Sequence, residues 1–202
     1  MAVRGIAFLL APGAGASSSH PRMQSFARLL ATLGSVELFD YSYAKEGRKR
    51  PDPLPKLIAA HRSALAALRE THDGPIALAG KSMGGRVGCH VALVEAVAAV
   101  ICFGYPLCAG GDRSKLRDQV LLELRTPAMF AQGTRDPLCP LDLLEGVRSR
   151  MRAPSALHIV EGGDHSLLLS KTELKARGIT QDDADGQMLK AISDFMSGLT
   201  LK

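Results

Sequence analysis

The sequence predicts an α/β fold built on a doubly wound, mostly parallel sheet of six strands. Short apolar runs alternate with amphipathic segments along the whole chain, which is the order typical of a parallel sheet with helices on both faces. The apolar runs lack the polar alternation of half-exposed strands, so we expect both of their faces to be buried. At 202 residues, 46% of them apolar, the chain is expected to form one domain over residues 1–202.

The first half of the chain is expected to hold three strands and two helices. The first helix carries apolar residues at helical spacing, and Gly34 closes it in the position of a C-terminal cap. The expected elements are a strand at Gly5–Leu10, a helix at 21–33, a strand at Val36–Tyr41, a helix at 54–70 and a strand at Ile76–Ala79.

The second half repeats the alternation. A final helix is expected to carry Met188, Ile192 and Phe195 on one face. The polar stretch 170–186 has no clear pattern. Two interpretations of it stay open, a segment that covers the site and a disordered segment. The expected elements are a helix at 83–95, a strand at 98–103, a loop at 104–112, a helix at 114–124, a strand at 127–132, a helix at 141–151 and a strand at 156–160.

Composition excludes several classes of protein. No apolar run is long enough for a membrane span, and the scarcity of aromatic residues with no Trp argues against base stacking, so neither a membrane nor a nucleic acid is expected as a partner. The run Ile6–Ala11 imitates a signal peptide, but Pro12 stops it early and the fold needs that strand. The four cysteines have no paired short spacing, so we expect reduced thiols, no metal, no cofactor and a cytoplasmic protein.

The net charge of +5 is densest in one segment, Lys45–Arg50, which is followed by Pro51 and Pro53. We call it the basic segment. Such a run is typical of a solvated loop, and it could also attract an anionic substrate or partner.

The most informative stretch is Gly80-Lys81-Ser82-Met83-Gly84, which fits Gly-x-Ser-x-Gly between an expected strand and an expected helix. A serine at the tip of such a turn needs glycines two residues away on either side, because side chains there would clash. Gly80-Lys81-Ser82 also imitates the end of a phosphate-binding loop. The nearest upstream glycine, Gly74, precedes the strand and has the wrong spacing, so we reject the nucleotide interpretation.

Three residues that follow expected strands are candidates for one catalytic constellation. Ser82, Asp136 and His165 occur in the order typical of the α/β-hydrolase fold, and carboxyl ends of parallel strands meet at one edge of the sheet. We expect His165 to take the proton of Ser82, and Asp136 to hold the imidazole in the required tautomer.

Other acids and histidines are less suited to the same roles. Asp164 is adjacent to His165 and can hardly reach its far ring nitrogen, and Asp142 lies in an expected helix. His20 could approach the site from the first loop, although capping of a helix or a surface role is favoured. The remaining histidines lie on or after helices or within a strand, namely His61, His72, His90 and His158.

An oxyanion hole needs two backbone N–H donors. The residue after the nucleophile, Met83, is expected to supply one, and Ala14 in the loop after the first strand is expected to supply the other. Pro12 has no N–H to donate, and Gly13 and Gly15 let the backbone approach a substrate. A flexible Gly-Ala loop is the simpler alternative.

Nearly the whole chain resembles the KANL/Tex family of α/β-hydrolase-like proteins, which is related to dienelactone hydrolases. The resemblance implies an α/β-hydrolase fold. Because few residues remain beyond the six strands and their helices, we expect a minimal form of this fold with no large lid. The resemblance also implies that some relatives are subunits of assemblies and not enzymes. Such hydrolases often begin the first loop with His-Gly, where this chain has Pro12. The matching segments are 11–16, 80–86, 104–106, 132–136 and 163–165.

Two hypotheses follow. The first is a serine hydrolase that cleaves a small carboxylic ester, thioester or lactone through an acyl-enzyme at Ser82. The second is a non-catalytic interaction module that keeps the hydrolase shape and binds a protein partner, with the basic segment as a candidate contact.

Overall fold

The computed structural model describes residues 5–199, so the two ends of the expected 1–202 domain lie outside the described residues. Eight strands and eight helices follow one another along this part of the chain. The strands are β1 (Ala7–Ala11), β2 (Ser35–Leu38), β3 (Ile76–Lys81), β4 (Ala99–Phe103), β5 (Cys108–Ala109), β6 (Asp112–Leu116), β7 (Ala128–Gly133) and β8 (Ser155–Val160). The helices are α1 (Pro21–Leu30), α2 (Ser42–Lys45), α3 (Leu54–Thr71), α4 (Met83–Val91), α5 (Gln119–Glu123), α6 (Leu141–Arg148), α7 (Lys171–Arg177) and α8 (Gln181–Ser197).

Six of the strands form one parallel sheet in the order β2-β1-β3-β4-β7-β8, as the sequence predicts. Strands β1, β4 and β7 are buried along their entire length, and β3 is buried except at Lys81. The edge strands β2 and β8 are only partly buried. Continuous apolar runs therefore lie in the middle of the sheet, where helices cover both faces.

Helices cover the two faces of the sheet in two groups. On one face, α1 and α8 bury Phe26, Leu30, Met188 and Ile192 against the sheet. On the other, α3 and α4 pack beside β1 and β3, and α5 and α6 pack beside β4 and β7. This layering leaves the carboxyl ends of the central strands at one edge, where the loops after β1, β3, β7 and β8 meet.

The structure differs from the prediction in the segment after β4. The helix expected at 114–124 is only α5, because Asp112–Leu116 forms β6 and pairs antiparallel with β5 in a separate two-stranded sheet. The loop expected at 104–112 therefore contains part of this sheet. Gly110 and Gly111 have positive φ angles of 62° and 82°, which suit the tight turn between the two strands.

The polar stretch 170–186 is mostly helical. Ser170 caps α7 by accepting a hydrogen bond from Glu173 N, and Gly178 ends this helix in the left-handed conformation. Thr180 and Asp183 then form a reciprocal capping box at the start of α8. Local capping chemistry thus gives structure to a segment that lacks an apolar pattern.

Two further features concern membrane-spanning helices and cysteine pairing. Within residues 5–199, no helix has both the length and the apolar character required to cross a membrane. All four cysteines are buried and free of disulfides, with 3.9 Å between the sulfurs of Cys89 and Cys102.

Candidate active site

Ser82 lies in the turn between β3 and α4 with φ 51° and ψ −116°, an uncommon conformation for a residue with a side chain. The flanking glycines explain how the chain accommodates it. A Cβ on Gly80 would collide with the backbone of Gly84, and a Cβ on Gly84 would collide with the carbonyl oxygen of Ala11. The Ser82 N–H donates to the carbonyl of Phe103 at 2.9 Å, which anchors the turn to β4. Since the turn is strained and tightly packed, it holds the hydroxyl in a fixed position.

His165 and Asp136 lie in line with Ser82. The Nε2 atom of His165 is 2.9 Å from the Ser82 Oγ, and its Nδ1 is 2.7 Å from Asp136 Oδ2. The side chain of Asp136 is fully buried, whereas that of His165 is 24% exposed. The imidazole is therefore hydrogen-bonded on one side by a buried carboxylate, and part of the ring remains accessible to solvent.

Asp136 is held by more than the histidine. Leu138 N donates to its Oδ1 at 2.9 Å, and Gln132 Nε2 donates to its Oδ2 at 2.5 Å. Gln132 is fully buried at the end of β7, and its Oε1 accepts from Tyr105 N at 3.0 Å. Sequence reasoning assigned Gln132 no role, although a polar residue ending a buried apolar strand was an available signal.

The loop after β1 lies directly against the serine. A Cβ on Gly13 would lie 3.5 Å from the Ser82 Cβ, so this loop forms one wall beside the hydroxyl. Met83 is the first residue of α4, where N–H groups have no acceptor within the helix. The N–H of Ala14 has no acceptor among residues 5–199, and this residue is exposed.

The basic segment forms part of the same rim. Tyr43 is buried and accepts a hydrogen bond from Gly15 N at 3.3 Å. A Cβ on Gly15 would lie 3.5 Å from the carbonyl oxygen of Lys49. The segment therefore lies beside the loop after β1.

Lys81 adds a cation near the serine. Burial lowers the pKa of its ammonium group, and the carboxylates of Asp136 and Asp164 oppose that shift. The site therefore carries a half-buried cation close to two carboxylates. An ammonium in this position favours the binding or formation of negative charge nearby.

The competing acids have other partners. Asp164 Oδ1 accepts from Ser166 N at 2.7 Å and from Leu168 N at 3.0 Å, so its carboxylate stabilises its own turn. Asp142 is exposed on α6 and pairs with Arg113 at 2.6 Å. The structure brings neither carboxylate to the imidazole of His165.

The competing histidines are also engaged elsewhere. His20 caps α1, because its Nδ1 accepts from Arg22 N at 3.1 Å. His61 is fully buried beside Tyr41, and burial lowers its pKa to about 3. His72 Nε2 is 2.9 Å from the carbonyl of Gly5, at the opposite end of the sheet. Two more are half-buried on α4 and β8, namely His90 and His158.

A separate cavity of about 620 Å³ opens at the amino ends of β3, β4 and β7. Its lining includes Arg69, Val97 and Pro127 and contains no serine or cysteine nucleophile. The candidate active site therefore lies at the other edge of the sheet. Among residues 5–199, no group of three or more His, Cys, Asp and Glu side chains is arranged to hold a metal ion.

Comparison with known proteins agrees with the fold described above. A family model described as an alpha/beta hydrolase domain matches residues 4–197. An alpha-beta serine hydrolase homologue from Coxiella burnetii superposes with a TM-score of 0.74 at 16% identity, covering 94% of this chain and 86% of that one. A dienelactone hydrolase from Anabaena variabilis superposes with a TM-score of 0.69 at 18% identity, covering 97% and 87%. These identities are too low to carry more than the fold.

Four curated proteins match this chain in sequence, and one of them is a protein of Caenorhabditis elegans. Protein sumv-2 of Caenorhabditis elegans is 27% identical over 105 residues, which is 52% of this chain. The match spans only 9% of that protein's own length. The similarity is therefore confined to a small part of a much longer protein.

Proposed function

The chain belongs to the alpha/beta hydrolase domain family, and from that premise we propose that it is a serine hydrolase acting on a small carboxylic ester, thioester or lactone. The observation that carries this proposal is the aligned set of side chains at the carboxyl edge of the sheet. The Ser82 Oγ lies 2.9 Å from His165 Nε2, and the other ring nitrogen lies 2.7 Å from the buried Asp136 carboxylate. This is the geometry that activates a serine hydroxyl by a general base.

The first half of the proposed reaction forms an acyl-enzyme. The Ser82 Oγ attacks the carbonyl carbon of the substrate while its proton moves to Nε2 of His165. The oxyanion accepts hydrogen bonds from the N–H groups of Met83 and Ala14. As the tetrahedral intermediate collapses, the bond to the leaving alcohol or thiol breaks, and the imidazolium returns the proton to that group. Asp136 stabilises the imidazolium throughout.

The second half releases the acid. A water molecule gives a proton to Nε2 of His165 as its oxygen attacks the acyl carbon, forming a second oxyanion at the same donors. Collapse breaks the bond to Ser82, whose oxygen recovers the proton from the imidazolium. Water and the bound acyl group leave as the carboxylic acid, and the enzyme returns to its starting state.

The substrate is proposed to carry a short acyl group. Within residues 5–199 no large lid covers Ser82, and the loop beside it exposes Ala14 at the rim. A site without a lid offers little apolar surface to a long chain. The basic segment beside this loop also favours a substrate with negative charge.

The proposal is tested by hydrolysis of chromogenic esters of increasing acyl length by the wild type, Ser82→Ala and His165→Ala. Activity is expected to be highest on acetyl and propionyl esters and to disappear in both variants. Asp142→Asn is the matched control, because that carboxylate is exposed and pairs with Arg113. Full activity of Ser82→Ala on every ester cleaved by the wild type would refute the proposal.

A second candidate is a non-catalytic module that binds a protein partner through the basic segment. Arg48 of this segment is held by Glu46 and Asp52, whereas the neighbouring Lys49 and Arg50 are exposed and form no ion pair among residues 5–199. Exposed cations without partners suit an acidic surface. A folded wild type that cleaves no ester, together with loss of a co-purifying protein from Lys49→Ser/Arg50→Ser, would favour this candidate.

We also propose two narrower assignments. The segment Gly80–Arg86 supports kinship with the KANL/Tex group within the family. Four free, buried cysteines support a cytoplasmic location, where thiols stay reduced.

A further inference from the structure

Arg22 is a buried cation that the mechanism above does not use. It lies on α1, is 5% exposed, and forms a bidentate ion pair with Asp185 of α8, whose side chain is 7% exposed. The two donor–acceptor distances are 2.5 Å and 2.9 Å. A charged pair this deeply buried is often no more stabilising than an apolar pair of the same size, so stability alone does not explain it.

The remaining donors of Arg22 hold the turn that follows His165. Its Nε donates to the carbonyl of Ser166 at 2.9 Å, and its Nη2 donates to the carbonyl of Leu167 at 3.3 Å. Leu167 has a positive φ of 62°, a conformation that a leucine keeps only where its surroundings fix it. The guanidinium thus satisfies the carbonyls of a strained turn beginning one residue after the proposed base.

Asp185 is also linked to the turn after His165 through the side chain of Gln181. Gln181 Nε2 donates to Asp185 Oδ1 at 2.9 Å and to the Leu167 carbonyl at 3.1 Å. Its Oε1 accepts from Leu169 N at 3.1 Å. The turn is therefore attached to both α1 and α8, the two helices that cover this face of the sheet.

The same guanidinium also contacts a pair of stacked aromatic rings, one of which belongs to the residue that anchors Ser82. It lies over the Phe26 ring with its central carbon 4.3 Å from the ring centroid. Phe26 stacks on Phe103 at 4.1 Å between centroids, and the carbonyl of Phe103 accepts from Ser82 N. One buried side chain therefore joins the supports of the proposed nucleophile and of the proposed base.

We propose that Arg22 is a positioning residue that, with Asp185, sets the distance between His165 and Ser82. This inference rests on the proposed function of the site. The guanidinium touches no reacting atom. It fixes the Ser166–Leu167 turn, and the turn fixes the imidazole at the hydrogen-bond distance required for proton transfer.

The test compares the wild type with Arg22→Met/Asp185→Leu, which replaces the ion pair by apolar side chains and leaves no buried charge alone. We expect this variant to fold, kcat on a short ester to fall by about tenfold or more, and KM to change less than threefold, because a misplaced base slows the chemical step. Arg22→Lys keeps the charge but cannot reproduce the fork of donors, so its kcat should resemble that of the double variant. Arg28→Met, exposed on the same helix, is the control and should match the wild type.

Amide hydrogen exchange gives a second readout. Amides of Ser166, Leu167 and Leu168 all donate within the turn, and they should exchange faster in the double variant while those of β3 and β4 do not. A folded double variant with the kcat and exchange rates of the wild type would overturn the inference and leave the proposed function intact. A folded wild type that cleaves no ester would instead contradict the proposed function, and the positioning role with it.

Discussion

Gln132 offers a direct test of how the buried carboxylate is held. In Gln132→Met the side-chain volume is nearly kept, but Asp136 Oδ2 loses a donor and Tyr105 N loses its acceptor. A hydrogen bond to a charged group contributes about 1.5–3 kcal/mol, and an orphaned buried N–H costs about 1–3 kcal/mol. We therefore expect the free energy of unfolding to fall by about 2.5–6 kcal/mol, a large part of the 5–15 kcal/mol typical of a domain.

The chain contains a matched control for this substitution. Gln119 Nε2 donates to Glu123 Oε1 at 3.0 Å, with the same four-residue spacing as Gln132 and Asp136, but this pair is exposed. Gln119→Met is expected to change the free energy of unfolding by less than about 0.5 kcal/mol. Urea denaturation followed by circular dichroism measures both variants. Equal effects of the two substitutions would refute the reasoning, because burial is the difference between them.

Three further predictions follow from separate parts of the fold. His61 is neutral in the folded protein, with a pKa of about 3 against an ordinary 6.5, so the unfolded chain binds the extra proton below pH 6.5. The contribution of His61 to the free energy of unfolding should consequently fall by about 1.4 kcal/mol per pH unit from pH 6 to 4. Urea titrations of His61→Leu should show a pH slope that is smaller by about this amount, and the same slope as in the wild type would contradict the prediction. Gly80→Ala should abolish both the yield of folded protein and the activity, because its Cβ would collide with Gly84, while Gly146→Ala, with open space around its Cβ, should be tolerated or slightly stabilising. Equal yields of folded protein from the two variants would contradict the packing argument. Ala14→Pro removes the proposed second oxyanion donor and should lower kcat by about 100-fold with little change in KM; an unchanged kcat would exclude this N–H.

The sheet could be predicted from sequence because its signal is local and strong. Buried parallel strands are continuous apolar runs, and β1, β3, β4 and β7 lie within a residue or two of the expected bounds. The β5–β6 sheet could not be predicted in the same way. Residues Asp112–Leu116 are mostly polar and exposed, so their strand conformation depends on pairing and not on periodicity.

The candidate site was predictable to a similar degree. Ser82 is marked by its glycines, and Asp136 and His165 by their places after strands, so topology alone brings them to one edge. Arg22, Asp185 and Gln132 act through contacts between residues distant in sequence or through burial, which no short motif records. Arg22 and Asp185 are 163 residues apart in the chain.

The most direct test of the central claim is labelling with a fluorophosphonate probe, followed by mass spectrometry of the modified peptide. Phosphonylation needs a serine activated by a base, so it reports the Ser82–His165 pair without knowledge of the substrate. We expect the folded wild type to be labelled on Ser82, and both Ser82→Ala and His165→Ala to remain unlabelled. A folded wild type that is not labelled, or is labelled equally well without His165, would contradict the account.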